Sequence, residues 1–139
     1  DEYKDYLPPT ERENSYRYNQ AIYHFRKGDY DIASTLLQQV NFKDPLYNLT
    51  ARSMLLKMHY EMEEWEMLEA HLDNFQLYIR RQRKLSYHRE NYLNLIRFVR
   101  QFLRIAPLDQ ERLEQLTNTV EATGSVAEKD WLLRQLREG

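Results

Sequence analysis

The chain has no cysteine among its 139 residues, and only three glycines and four prolines. Without a thiol there is no disulfide frame, no thiolate nucleophile and no thiolate metal site. That absence is compatible with a reducing cytoplasm and leaves the compartment open. So few glycines exclude a Gly-rich phosphate loop, a dinucleotide fingerprint and a nucleophile elbow, each of which needs glycines closely spaced. No apolar run approaches the roughly 20 residues of a membrane span, and no secretory leader pattern is visible. The chain opens on Asp1 rather than Met, from which we expect a piece of a larger protein.

What remains is a helix-forming composition. Charged residues make up 30% and hydrophobic ones 42%, with 11 tyrosines and a net charge of −2. The charge is unevenly spread. Residues 1–79 sum to −6, residues 80–104 to +7 and residues 105–139 to −3. At 139 residues one domain can bury a core without covalent staples. We therefore expect an extended arm over 1–9, ending in Pro8-Pro9, and a single helical domain over 10–139.

Periodicity divides that domain. Thr10 with Glu13 has capping-box spacing, so the first helix is expected from Thr10 to Lys27. Gly28 can take the left-handed conformation that ends it, and Asp29 can cap the next helix, expected to run to Asn41. Tyr30, Ala33, Leu37 and Val40 recur at steps of three, four and three, forming one apolar stripe. Asp44 followed by Pro45 stops this helix and starts a third, expected over Leu46 to Met62. A Glu-rich turn leads to a fourth, in which Trp65, Leu68, Leu72 and Phe75 repeat the same stripe 35 residues on. In that second copy Glu63 replaces Gly28 and Leu68 replaces Ala33. Ser86 is expected to cap a fifth helix bearing Tyr92, Leu95, Ile96, Val99, Phe102 and Leu103. A sixth carries Leu113, Leu116 and Val120 and is expected to close at Gly124. Ser125 with Glu128 is expected to cap a seventh, carrying Val126, Trp131, Leu132 and Leu136.

Gly28, Tyr30, Ala33, Leu37, Val40 and Pro45 match, in order and spacing, the repeat of about 34 residues in the tetratricopeptide family. The chain resembles that family specifically over 14–47, in degenerate form over 48–82, and only in architecture beyond 86. The resemblance implies an all-α superhelix of about seven helices in antiparallel pairs, with the last helix as a cap. Gly28, Tyr30, Ala33, Leu37, Pro45, Trp65, Leu68 and Leu72 would be its structural positions. It also implies a concave groove, lined by the first helix of each pair, that binds a peptide or protein segment. At matching positions that groove would show Tyr18, Asn19, Ile22 and Arg26 from the first pair, and Ser53, Lys57 and Tyr60 from the second. The Lys-Asn clamp that some members use for a terminal carboxylate is incomplete here, since Tyr18 stands in the Lys place beside Asn19.

Sites for chemistry are sparse. The four histidines, at 24, 59, 71 and 88, form no ligand pair with metal spacing beyond His59 and Glu63, four apart. The carboxylates Glu61, Glu63, Glu64, Glu66, Glu69 and Asp73 fall near a helix start, and Arg80, Arg81, Arg83 and Lys84 near its end, where the helix dipole favours each. With Arg89, Arg97, Arg100 and Arg104 added and Tyr78, Tyr87 and Tyr92 interleaved, the basic block also has the makings of a phosphate-binding surface. Asn48-Leu49-Thr50 fits a glycosylation acceptor but lies inside the third helix. The expectation is a non-enzymatic protein-interaction or scaffold module with no cofactor or metal and no membrane contact. The alternatives are nucleic-acid binding over 80–104, or a structural segment of a longer solenoid that packs on further repeats, or on itself, through the first helix.

Overall fold

The structure, a computed structural model, describes residues 9–40 and 44–138. The expected arm over 1–8, and the expected end of the second helix at Asn41, lie outside them. Among the described residues there are seven helices and no strand. They are α1 (Pro9–Lys27), α2 (Tyr30–Gln38), α3 (Pro45–Glu61), α4 (Trp65–Arg81), α5 (His88–Arg104), α6 (Gln110–Ala122) and α7 (Lys129–Glu138). The chain forms two compact units, Asp1–Asp73 and Asn74–Gly139, and the division falls inside α4.

The first unit contains two helical hairpins built on one plan. Gly28 ends α1 at φ +85°, with Gly28 N donating to Phe25 O (3.1 Å) and Asp29 N to His24 O (2.9 Å). This double bond satisfies carbonyls that the helix end leaves unpaired. Thirty-five residues on, Glu63 takes φ +56°, with Glu63 N donating to Tyr60 O (3.1 Å) and Glu64 N to His59 O (3.0 Å). The next helix opens alike in both copies, through Ala33 N to Asp29 O (3.0 Å) and Leu68 N to Glu64 O (2.8 Å). The degenerate repeat thus keeps the backbone turn where it has lost the glycine. Asp44 caps α3 by accepting from Leu46 N at 2.9 Å, with Pro45 in the first helical position.

Two ring contacts align the hairpins. Tyr18 meets Tyr47 edge-on at 6.0 Å, and the Lys57 ammonium lies 5.5 Å from the Phe25 ring centroid. Positions rising along α1 meet positions rising along α3, so the first helices of the two hairpins run parallel. Ala21, Ala33, Leu37, Ala51, Met54, Leu55 and Met58 form the core beneath them, with Tyr18, Ile22, Phe25 and Tyr30 packed against it. Leu68 and Leu72 of α4 are also fully enclosed. Each large side chain removed from water in this way contributes about 1.5–3 kcal/mol.

The second unit is organised around α5, whose Leu95, Ile96, Phe98 and Val99 are buried. Phe75 of α4 meets Tyr92 at 5.9 Å. α7 packs on both α5 and α6. Two bonds fasten the segment before it to α5, Ala127 N to Asn91 O (3.0 Å) and Asn94 Nδ2 to Ser125 O (2.8 Å).

Several boundaries differ from the sequence-based expectation. α1 starts at Pro9, placing Thr10 inside the helix, and α2 ends at Gln38, where Gln39 N turns back to Leu36 O (3.2 Å). Ser86 does not cap α5. It takes φ +54°, and His88 N and Arg89 N are satisfied by the carbonyls of Leu85 and Ser86. Ser125 and Glu128 form no capping box, because Glu128 takes φ +56° and α7 begins only at Lys129. Gly124 does not close α6 either. The Lys129 ammonium does so, donating to Glu121 O (3.0 Å) and Thr123 O (2.8 Å). Trp65, expected on the buried stripe with Leu68 and Leu72, is 46% exposed and rests edge-on against Tyr60 at 5.5 Å.

Candidate functional site

α1 and α3 carry every residue that the sequence marked for a groove, and all but Ser53 reach the surface. Asn19 and Arg26 are exposed, whereas Tyr18, Ile22, Lys57 and Tyr60 are half-buried. Arg26 has no hydrogen-bond or ion-pair partner among the described residues. Ser53 is enclosed at 2% exposure, and its hydroxyl finds no hydrogen-bond partner among the described residues. It faces the interior rather than a ligand. Leu46 and Tyr47 on α3, and Tyr16 and Tyr23 on α1, are exposed as well. Tyr47 was not singled out in the sequence, because no periodic position marks it. Its contact with Tyr18 appears only once the two helices lie side by side.

The hairpin tips carry a second repeated feature. His24 Nδ1 lies 3.6 Å from Asp29 Oδ2, and its counterpart His59 donates from Nδ1 to Glu64 Oε1 at 3.0 Å. Each histidine is followed by an aromatic that meets the first residue of the next helix, Phe25 with Tyr30 and Tyr60 with Trp65, both at 5.5 Å. The spacing His-aromatic-x-x-x-acid-aromatic, occurring twice at an offset of 35, was the signal in the sequence that would have found this. His59 is buried and its partner is Glu64, five residues on, rather than Glu63. His71 lies near it, ring centroids 5.6 Å apart and planes tilted by 60°, and donates from Nε2 to Arg52 O at 2.8 Å. Burial lowers the pKa of His71 from 6.5 to about 4, aided by the charge of His59 and opposed by the bond to Arg52 O. No group of three or more histidine and carboxylate side chains among the described residues is placed to hold a metal ion.

In the second unit Arg80, Arg81, Arg83 and Lys84 are all exposed and make no ion pair or hydrogen bond among the described residues. Arg89 differs from them. Its guanidinium donates to Ile79 O at 3.0 Å and to Gln82 O, closing the C-terminal end of α4. Arg89 is thus engaged in joining α4 to α5. No helix among the described residues is long and apolar enough to cross a membrane.

No protein-family model matches the chain, and neither a curated protein nor a solved structure matches it.

Proposed function

We propose that the chain is a non-enzymatic protein-interaction module, holding a segment of a partner protein against α1 and α3 of its first unit. What carries this reading is the parallel side-by-side placement of those helices, drawn from the Tyr18–Tyr47 and Phe25–Lys57 contacts. Parallel first helices of successive hairpins are what a tetratricopeptide-like groove requires. The exposed and half-exposed tyrosines offer large contact area at little cost in side-chain entropy. Arg26 supplies an exposed cation with no partner among the described residues, and Lys57 carries a second over the Phe25 ring.

Selection of binders from a displayed random-peptide library tests it. The Arg26→Glu, Lys57→Glu double variant should lose capture by about tenfold or more while keeping its helical circular dichroism. Capture undiminished in that variant would sink the α1–α3 site. Absence of peptide capture, together with oligonucleotide binding that vanishes when Arg80, Arg81, Arg83 and Lys84 are neutralised, would replace the reading with nucleic-acid binding.

A further inference from the structure

A groove of about 500 Å³ runs between the last turn of α5 and the face of α6, lined by Gln101, Arg104, Ile105, Arg112, Gln115, Leu116 and Thr119. Its floor is aliphatic, from Ile105 and buried Leu116, and its walls are polar. Two guanidinium groups reach it and none of its lining residues is a carboxylate. Arg112 is held by Asp109, Nε to Oδ2 at 3.6 Å, an interaction that leaves the terminal nitrogens of its fork uncommitted. Arg104 is exposed and has no hydrogen-bond or ion-pair partner among the described residues. Arg97 lies two turns earlier on the same face of α5, exposed and stacked on Phe98 at 4.7 Å. A row of cations so placed repels itself, and a partner of opposite charge relieves that repulsion.

The connection joining the two walls contains the least expected residue in the chain. Leu108 is 90% exposed and takes φ +74°. A left-handed conformation is unfavourable for a non-glycine residue, and an aliphatic side chain in water recovers none of that cost. Glycine or asparagine would suit this turn better on both counts. Backbone strain is concentrated at ligand clamps and switch regions, and Leu108 holds it in the connection between the two walls of the groove.

We infer that the α5–α6 groove is a docking surface for an acidic segment of another protein. The Asp or Glu side chains of that segment pair with Arg104 and Arg112, and an apolar side chain rests on Leu108. Guanidinium forks from two different helices match carboxylates bidentately. A nucleic acid fits less well, because no aromatic ring lines the groove for a base to stack on. The surface lies wholly in the second unit and shares no residue with the α1–α3 site.

The test uses the full chain and a fluorescent, Gly-spaced peptide bearing Glu and Leu, with binding followed by anisotropy. Replacing every Glu of the peptide by Gln should weaken binding about tenfold, and Arg104→Gln with Arg112→Gln in the protein should do the same. Leu108→Asn should lower peptide affinity several-fold without lowering the unfolding temperature, since asparagine tolerates the left-handed turn. Equal binding of the Glu and Gln peptides, or affinity untouched by the arginine substitutions, would overturn the proposal. So would a single-stranded oligonucleotide that displaces the peptide and outbinds it. Because Arg26→Glu and Lys57→Glu act on the other unit, failure at one surface is distinguishable from failure at the other.

Discussion

At the scale of single residues, the left-handed turns and the half-buried His71 set the clearest expectations. A Cβ added at Gly28 would meet nothing within 4 Å, so Gly28→Ala isolates the backbone cost of φ +85°. We expect that change to destabilise by about 1 kcal/mol in urea unfolding. At the equivalent turn Glu63 already bears the strain, and Glu63→Gly should stabilise by up to about 1 kcal/mol. Opposite signs at two positions 35 residues apart would be the energetic trace of the repeat. For His71 the folded pKa of about 4 lies below the ordinary 6.5. Between these values the unfolded chain binds the proton more readily, so the contribution is complete above pH 6.5 and is lost as pH falls toward 4. Its full size is about 3 kcal/mol. The urea midpoint should therefore decline over that window, and His71→Gln, which keeps a donor for Arg52 O, should flatten the decline.

At the scale of elements, closure of each hairpin depends on groups that reach across a turn. The His59–Glu64 bond is nearly enclosed on the histidine side, whereas the His24–Asp29 approach is longer and more exposed. Glu64→Ala should cost about 1–3 kcal/mol by stranding a buried N–H. Asp29→Ala should cost less, because water can replace an exposed carboxylate. A larger loss at Asp29 than at Glu64 would contradict this ordering. In the second unit the ends of α4 and α6 are closed by side chains from the following elements, Arg89 and Lys129. Arg89→Ala should loosen the end of α4, seen as faster amide exchange at Ile79 and Gln82, while Arg81→Ala should not.

At the scale of the whole molecule, charge is segregated. The first unit sums to −6 and the second to +4, with a sequence isoelectric point near 6.1. Around pH 6, where net charge vanishes, unlike units of different molecules attract at low ionic strength. Light scattering should rise there and fall when salt is added. Scattering indifferent to salt would instead assign the association to exposed apolar groups such as Tyr16, Leu46 and Tyr47.

The sequence by itself determined the helices, their order and the phase of the repeat, because apolar spacing and turn residues act locally. Tyr30, Ala33 and Leu37 on one face, Gly28 at a left-handed turn and Asp44 before Pro45 each follow from short-range sterics and hydrogen bonding. Which half-apolar residues stay at the surface was decided only by tertiary structure. Trp65 and Ser53 exchanged their expected environments, and Tyr47 joined Tyr18, because exposure depends on what a neighbouring helix covers. The α5–α6 groove was hidden for the same reason. Arg104 and Arg112 belong to separate charge blocks of opposite sign in the sequence, and only the packing of the two helices makes them walls of one groove.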